Sequence, residues 1–173
     1  MTSLAVIPFR VEHWHLVETA PLLIPFAPSA EQLQRLETDP LSRTIVSRAT
    51  GRPVFVGGAL HMWTGRAELW ARVDRGCRRD MVAITREVAK FIAVDCSKIR
   101  RLEAVVECDF EPGHRWVRML GFRLDAARMP AFYPDGRDCS LYSRILVQGP
   151  STDCNGARGN RGANLDLKEP AAA

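Results

Sequence analysis

The sequence predicts an α/β (α+β) domain, with a mixed, mostly antiparallel sheet of about six to seven strands flanked by about four helices. Three observations carry that expectation. Short apolar blocks bounded by turn residues recur along most of the chain, as strands require. From Met81 the apolar spacing changes to that of a helix. The blocks before and after that helix, 66–73 and 101–107, form a strand–helix–strand unit, which demands a right-handed crossover and a locally parallel pair. With 173 residues, 46% hydrophobic and 25% charged, the chain suits one domain with a core, which excludes a disordered, collagen-like or disulfide-stapled protein.

In order, Leu4–Phe9 reads as a first strand and Val11 to Thr19 as an amphipathic stretch. Pro21, Pro25, Pro28 and Pro40 then mark a loop holding one short helix, which Ser29-Ala-Glu-Gln32 opens as a capping box. Strands 43–48 and 53–60 flank the turn Thr50-Gly51-Arg52, and Thr64-Gly65 sets off strand 66–73 (RAELWARV). Met81, Ile84, Val88, Phe91 and Ile92 form one stripe of a helix of about four turns. The continuous apolar centre of Arg101–Glu107 suits a central strand. A helix over 113–120 stops at Gly121, and strands 122–133 and 139–147 form a hairpin across Pro134-Asp135-Gly136-Arg137. Residues 1–147 are therefore taken as the domain. Residues 148–173, rich in Gly, Asn, Ala and Pro, read as a flexible tail with Leu165-Asp166-Leu167 as its apolar anchor.

Lys+Arg number 24 against 20 acidic residues, and Lys90, Lys98 and Lys168 are the only lysines. A net charge of +4 permits an anionic ligand, but no basic stripe interleaved with aromatics speaks for nucleic acid. Five cysteines without a CxxC spacing argue against a disulfide framework and against zinc, so no metal is expected. The absence of a long apolar run and of a signal-like N-terminus points to a cytoplasmic protein.

This succession of elements, with Leu120-Gly121-Phe122 after the last helix and a terminal hairpin ending in Leu141-Tyr142, resembles the GNAT family of N-acetyltransferases over residues 4–147. The block Arg115–Tyr142 is similar in particular to GNAT-like proteins encoded by phages and prophages, some of them internal virion proteins. The resemblance implies acetyl-CoA as cofactor, its pyrophosphate at the N-terminus of the helix from Met81, where helix N–H groups favour anions. The family's loop there reads Arg/Gln-x-x-Gly-x-Gly/Ala. The matching stretch is Arg75-Gly76-Cys77-Arg78-Arg79-Asp80, with Arg78 and Asp80 in the glycine places. Asp80 is expected to cap the helix and to repel phosphate, whereas Arg75, Arg78 and Arg79 suit a pyrophosphate by side chain. The dipole and the arginines are expected to lower the pKa of Cys77.

The family's acid tyrosine is matched by Val117, and its asparagine by Phe110. Glu68 is then the candidate base, and Tyr133, Tyr142 or His114 the candidate acid, for proton transfer between amine and thiolate. Each has a plain structural alternative: a surface charge for Glu68, a core position for Tyr142, a helix first turn for His114. Trp70 reads as core, and Trp63 as lining a groove or an interface. Two functions follow. The residues favour a GNAT-fold protein of phage type, with weak or no catalysis, that serves virion assembly. It would associate with virion proteins or with itself through tail 148–173, in the host cytoplasm or on the virion. The alternative is an active acetyl-CoA-dependent N-acetyltransferase acting on an amine of a small molecule or protein.

Overall fold

The computed structural model describes residues 4–19 and 28–146. Strand β1 (Leu4–Pro8) leads through Arg10 into a short helix, α1 (Val11–Leu16). Helix α2 (Ala30–Thr38) begins with the expected capping box: Gln32 N–H donates to the Ser29 hydroxyl, and Ser29 N–H to the Gln32 side chain. The strands β2 (Arg43–Ser47), β3 (Pro53–Trp63) and β4 (Arg66–Val73) follow as a meander. Strand β3 runs three residues past its predicted end, because the turn at Gly65 (φ 80°) carries the hairpin beyond the body of the sheet. Helix α3 (Met81–Val94) buries Ile84, Val88 and Ile92, the stripe read from spacing. Strand β5 (Arg101–Glu107) and helix α4 (Glu111–Met119) come next. Helix α4 starts two residues earlier than predicted, since Pro112 lies in its first turn, where a missing N–H costs nothing. Gly121, at φ 84°, turns the chain out of α4 into β6 (Arg123–Met129), which returns as β7 (Cys139–Ile145).

The seven strands form one sheet in the order β1-β2-β3-β4-β5-β7-β6, antiparallel throughout except for the parallel pair β4/β5. Each face carries a separate core. On one face α3 and α4 pack Ile84, Ile92, Val117 and Phe122 against Leu102, Val106 and Tyr142. On the other, Phe9, Val17, Leu33 and Leu36 pack against Val56 and Trp70. Each fully buried aliphatic or aromatic side chain contributes about 1.5–3 kcal/mol. Strand alternation assigns residues to faces, so Arg66, Glu68, Trp70 and Arg72 of β4 share the α1/α2 side, and Ala67, Leu69 and Val73 the α3/α4 side. At Gly58 the connection entering β2 crosses the sheet so closely that an added Cβ would lie 2.5 Å from the Leu41 carbonyl oxygen. The proposed tail, 148–173, lies outside the described residues.

Candidate functional site

The parallel pair β4/β5 holds for only four rungs, from Arg66↔Arg101 to Leu69↔Ala104. Beyond them the strands part, although their outer edges stay paired as far as Val73↔Phe55 and Glu107↔Cys139. The parting lies within a cavity of about 1080 Å³ that extends over both faces of the sheet and is walled here by Trp70, Val73, Val106, Phe110 and Trp116. Its walls are mostly apolar, and the facing strand edges have lost their ladder partners, so an occupant bearing amide groups meets free main-chain donors and acceptors.

Glu68 stands one rung below the point of parting and lines the cleft. It makes no ion pair or hydrogen bond among the described residues. Burial, and next the charge of Glu103 opposite, push its carboxyl above the ordinary range, with Arg66 pulling weakly the other way. Tyr133, from the segment between β6 and β7, lines the same cleft, and its hydroxyl has no hydrogen-bond partner among the described residues. Burial, followed by the Cys139 thiol and the Glu107 and Glu68 carboxyls nearby, raises its pKa, so it keeps its proton through neutral pH. The Arg137 guanidinium lies 5.9 Å from the Tyr133 ring and pairs with Glu107 at 2.6 Å and Asp135 at 2.8 Å, which ties this segment to the end of β5. Tyr133 was one of three acid candidates; what singles it out is loop placement, for which spacing gives no signal.

The loop from β4 to α3 departs from expectation. Asp80 sits at the N-cap position of α3, but its side chain makes no cap hydrogen bond. Its backbone is helical (φ −96°, ψ −8°) rather than extended, so the carboxylate does not fold back over the first turn. Asp80 Oδ1 is buried without a partner. The loop's own N–H groups are largely spent: Arg75 donates to Glu18 O (2.7 Å), Gly76 to Asp74 Oδ1 (2.8 Å), Cys77 to Asp74 O and Asp80 to Cys77 O (2.7 Å). The Arg75 guanidinium pairs with Glu18 at 2.8 Å, while Arg78 and Arg79 are exposed without ion pairs among the described residues. Cys77 is the opposite of an activated thiol. Burial and then Asp74 and Asp80 push it up to about 11.

His114 and Tyr142, expected near the reacting atoms, lie on the α3/α4 face and are buried there, outside the cleft lining. His114 Nε2 faces the Cys108 carbonyl (3.0 Å) and so donates, which leaves Nδ1 to accept from the Tyr142 hydroxyl at 2.9 Å. Arg118 donates to the same hydroxyl (3.3 Å). Both rings are fully engaged in holding α4 to β7. Trp70 packs on Phe9 and Trp14, and Trp63 is exposed at the hairpin end with the Arg66 guanidinium 4.1 Å from its ring. Among the described residues no cluster of His, Cys, Asp or Glu could hold a metal, and no helix is long and apolar enough to cross a membrane.

No family model and no curated protein sequence matches the chain. Solved structures do. An acetyltransferase of the GNAT family from Bacillus anthracis superposes with a TM-score of 0.63 at 12% identity, over 86% of this chain and 98% of that one. Ard1 from Thermoplasma volcanium gives 0.67 at 16%, over 84% and 99%. The ribosomal-protein-S18-alanine N-acetyltransferase from Escherichia coli gives 0.62 at 14%, over 87% and 98%. The chain has the GNAT fold; at these identities the likeness speaks for the fold, and the chemistry must come from the site.

Proposed function

We propose that this chain is an acetyl-CoA-dependent N-acetyltransferase acting on an amine of a small molecule or protein. The observation that carries the reading is the unpaired, half-buried Glu68 carboxylate at the apex of the cleft. The cleft's apolar walls and free strand edges suit a pantetheine arm. Arg78 and Arg79, with the first-turn N–H groups of α3 left uncapped by Asp80, suit a pyrophosphate. When bound, acetyl-CoA supplies a thioester whose acyl group an amine can take. Glu68 accepts the proton of the incoming amine, and its raised pKa brings its proton affinity nearer to that task than an exposed carboxylate's. Tyr133 holds a proton at the cleft wall and is the group placed to return one.

A second reading, the phage-type scaffold without catalysis, is supported by two features of the loop. Asp80 places a carboxylate where a diphosphate would sit, and the amides of residues 75–77 and 80 already have acceptors. Calorimetric titration with acetyl-CoA and CoA separates the two. Binding in the micromolar range, weakened by Arg78→Ala, together with amine acetylation that falls about 10²–10⁴-fold in Glu68→Gln, supports the enzyme. No binding at millimolar cofactor leaves the scaffold. In that case deletion of 148–173 asks whether the tail is what docks the protein in its assembly.

A further inference from the structure

Glu103 is a buried carboxylate that the mechanism above does not use. It lies 3% exposed on β5, directly across the parallel ladder from Glu68, and opposed residues of a parallel pair project from the same face. Both its oxygens are taken: Arg101 Nε donates to Oε1 at 2.6 Å, and Arg66 donates to Oε2. Arg101 reaches on to Asp125. The clamp takes up Glu103 alone: among the described residues Glu68, on the same rung, receives no hydrogen bond from it. A buried charge is tolerated only when paired in this way, so the clamp keeps an anion fixed below the apex of the cleft.

We propose that Glu103 is a positioning residue for acyl transfer, a clamped anion that faces Glu68 across the ladder, occupies the nearby arginines and keeps Glu68 ready to accept a proton. The inference rests on the acyltransferase reading for its purpose, but the coupling of the two carboxylates stands on its own. Burial alone would push Glu103 up, yet the bonds from Arg66 and Arg101 hold it below the ordinary range, so it is ionised whenever Glu68 titrates. The other groups facing Glu68 add no competing charge at neutral pH. Leu60 opposes it from β3, and Tyr133 from the β6–β7 segment and Cys139 from β7 are both raised by burial, Cys139 to about 11. Among the described residues Arg66, on the same strand, is the cation acting on Glu68, and it is engaged by Glu103.

The test is a carbon-13 NMR titration of side-chain carboxylates in the full chain without donor, with Glu68→Gln assigning the Glu68 signal. In Glu103→Gln, which keeps the shape and one of the two acceptor oxygens while turning the other into an NH2 that faces an arginine, the Glu68 midpoint is expected to move down by about one pH unit, a tenfold loss of proton affinity. In Arg66→Gln it is expected to move up. The second variant, at a partly exposed position, guards against a failure of the first to fold. A Glu68 midpoint unchanged in either folded variant overturns the proposal. If acetylation is found, the acid limb of its kcat/KM profile should follow the same two shifts, and the plateau should fall in Glu103→Gln because the base is weaker. Activity with unmoved limbs overturns this proposal and leaves the proposed function standing. Shifted midpoints without any transfer support the coupling and count against the proposed function.

Discussion

Tyr142→Phe removes one oxygen from the α3/α4 core and makes the placement of that residue measurable. The ring is 1% exposed and stays fully packed after the change, so no cavity forms. What is lost is the donor to His114 Nδ1 and the acceptor for Arg118. Arg118 reaches solvent and can find water, but His114 is itself only 6% exposed, and its Nδ1 is left a buried acceptor without a partner. Stranding such a group costs about 1–3 kcal/mol. With a urea slope of about 1–3 kcal/mol/M for a small protein, the unfolding midpoint should drop by about 1 M, with the slope unchanged. The thermal midpoint should fall by about 2–4 °C for each kcal/mol. CoA binding and acetylation, measured at a temperature where the variant is fully folded, should match the parent protein. A variant as stable as the parent, or one that loses transfer rate while its stability holds, would refute the assignment of His114 and Tyr142 to the core rather than to the chemistry.

Gly58→Ala should destabilise the fold by about 1–3 kcal/mol in urea unfolding, because the added methyl meets the Leu41 carbonyl, a backbone atom that cannot swing away; an unchanged midpoint would contradict the close crossing. The Cys77 thiol should resist a thiol reagent at pH 8.5 in the native protein and react once unfolded, since its folded pKa of about 11 lies well above the ordinary 9.0. The same sign applies to stability. Cys77, Cys96 and Cys139 keep their protons in the fold over a range where the unfolded thiols lose them, so stability is whole below about pH 9 and declines as pH rises from there. Urea midpoints at pH 8.5 and 10.5 should show that decline. Glu18→Gln, which frees Arg75 and removes a carboxylate beside the loop, should tighten CoA by up to about fivefold in calorimetry, the scale of an exposed ion pair.

Most of the fold was legible because its elements carry local signals: the period of Met81–Ile92, the box at Ser29 and Gln32, the left-handed glycines 51, 65 and 121. The parallel pair followed from topology alone, since a strand–helix–strand unit has one sterically favourable hand. Glu68 was singled out by its place on the strand before the loop, and the parting of β4 from β5 beside it has no local signal. The site was not legible where a side chain's role depends on which face a distant segment covers. His114 and Tyr142 lie 28 residues apart in sequence and meet because α4 folds back over β7, whereas Tyr133 sits in a loop that Arg137 ties to Glu107. Asp80 failed as a cap for a conformational reason, a helical φ/ψ at a position whose residue type suggested otherwise. One of the loop's spent amides, that of Arg75, depends on the carbonyl of Glu18, whose own N–H donates to Asp74 56 positions on, a meeting that no local motif signals.

The four-rung seam between β4 and β5 also divides the molecule mechanically. On one side stand the hairpins of β1 to β4, on the other β5, β7 and β6, each side holding a longer antiparallel ladder, the eight rungs of β3/β4 and the seven of β5/β7. Under tension or mild denaturant, rupture should begin along this fault line, so the place where the halves grip each other least is also where Glu68 and Glu103 meet.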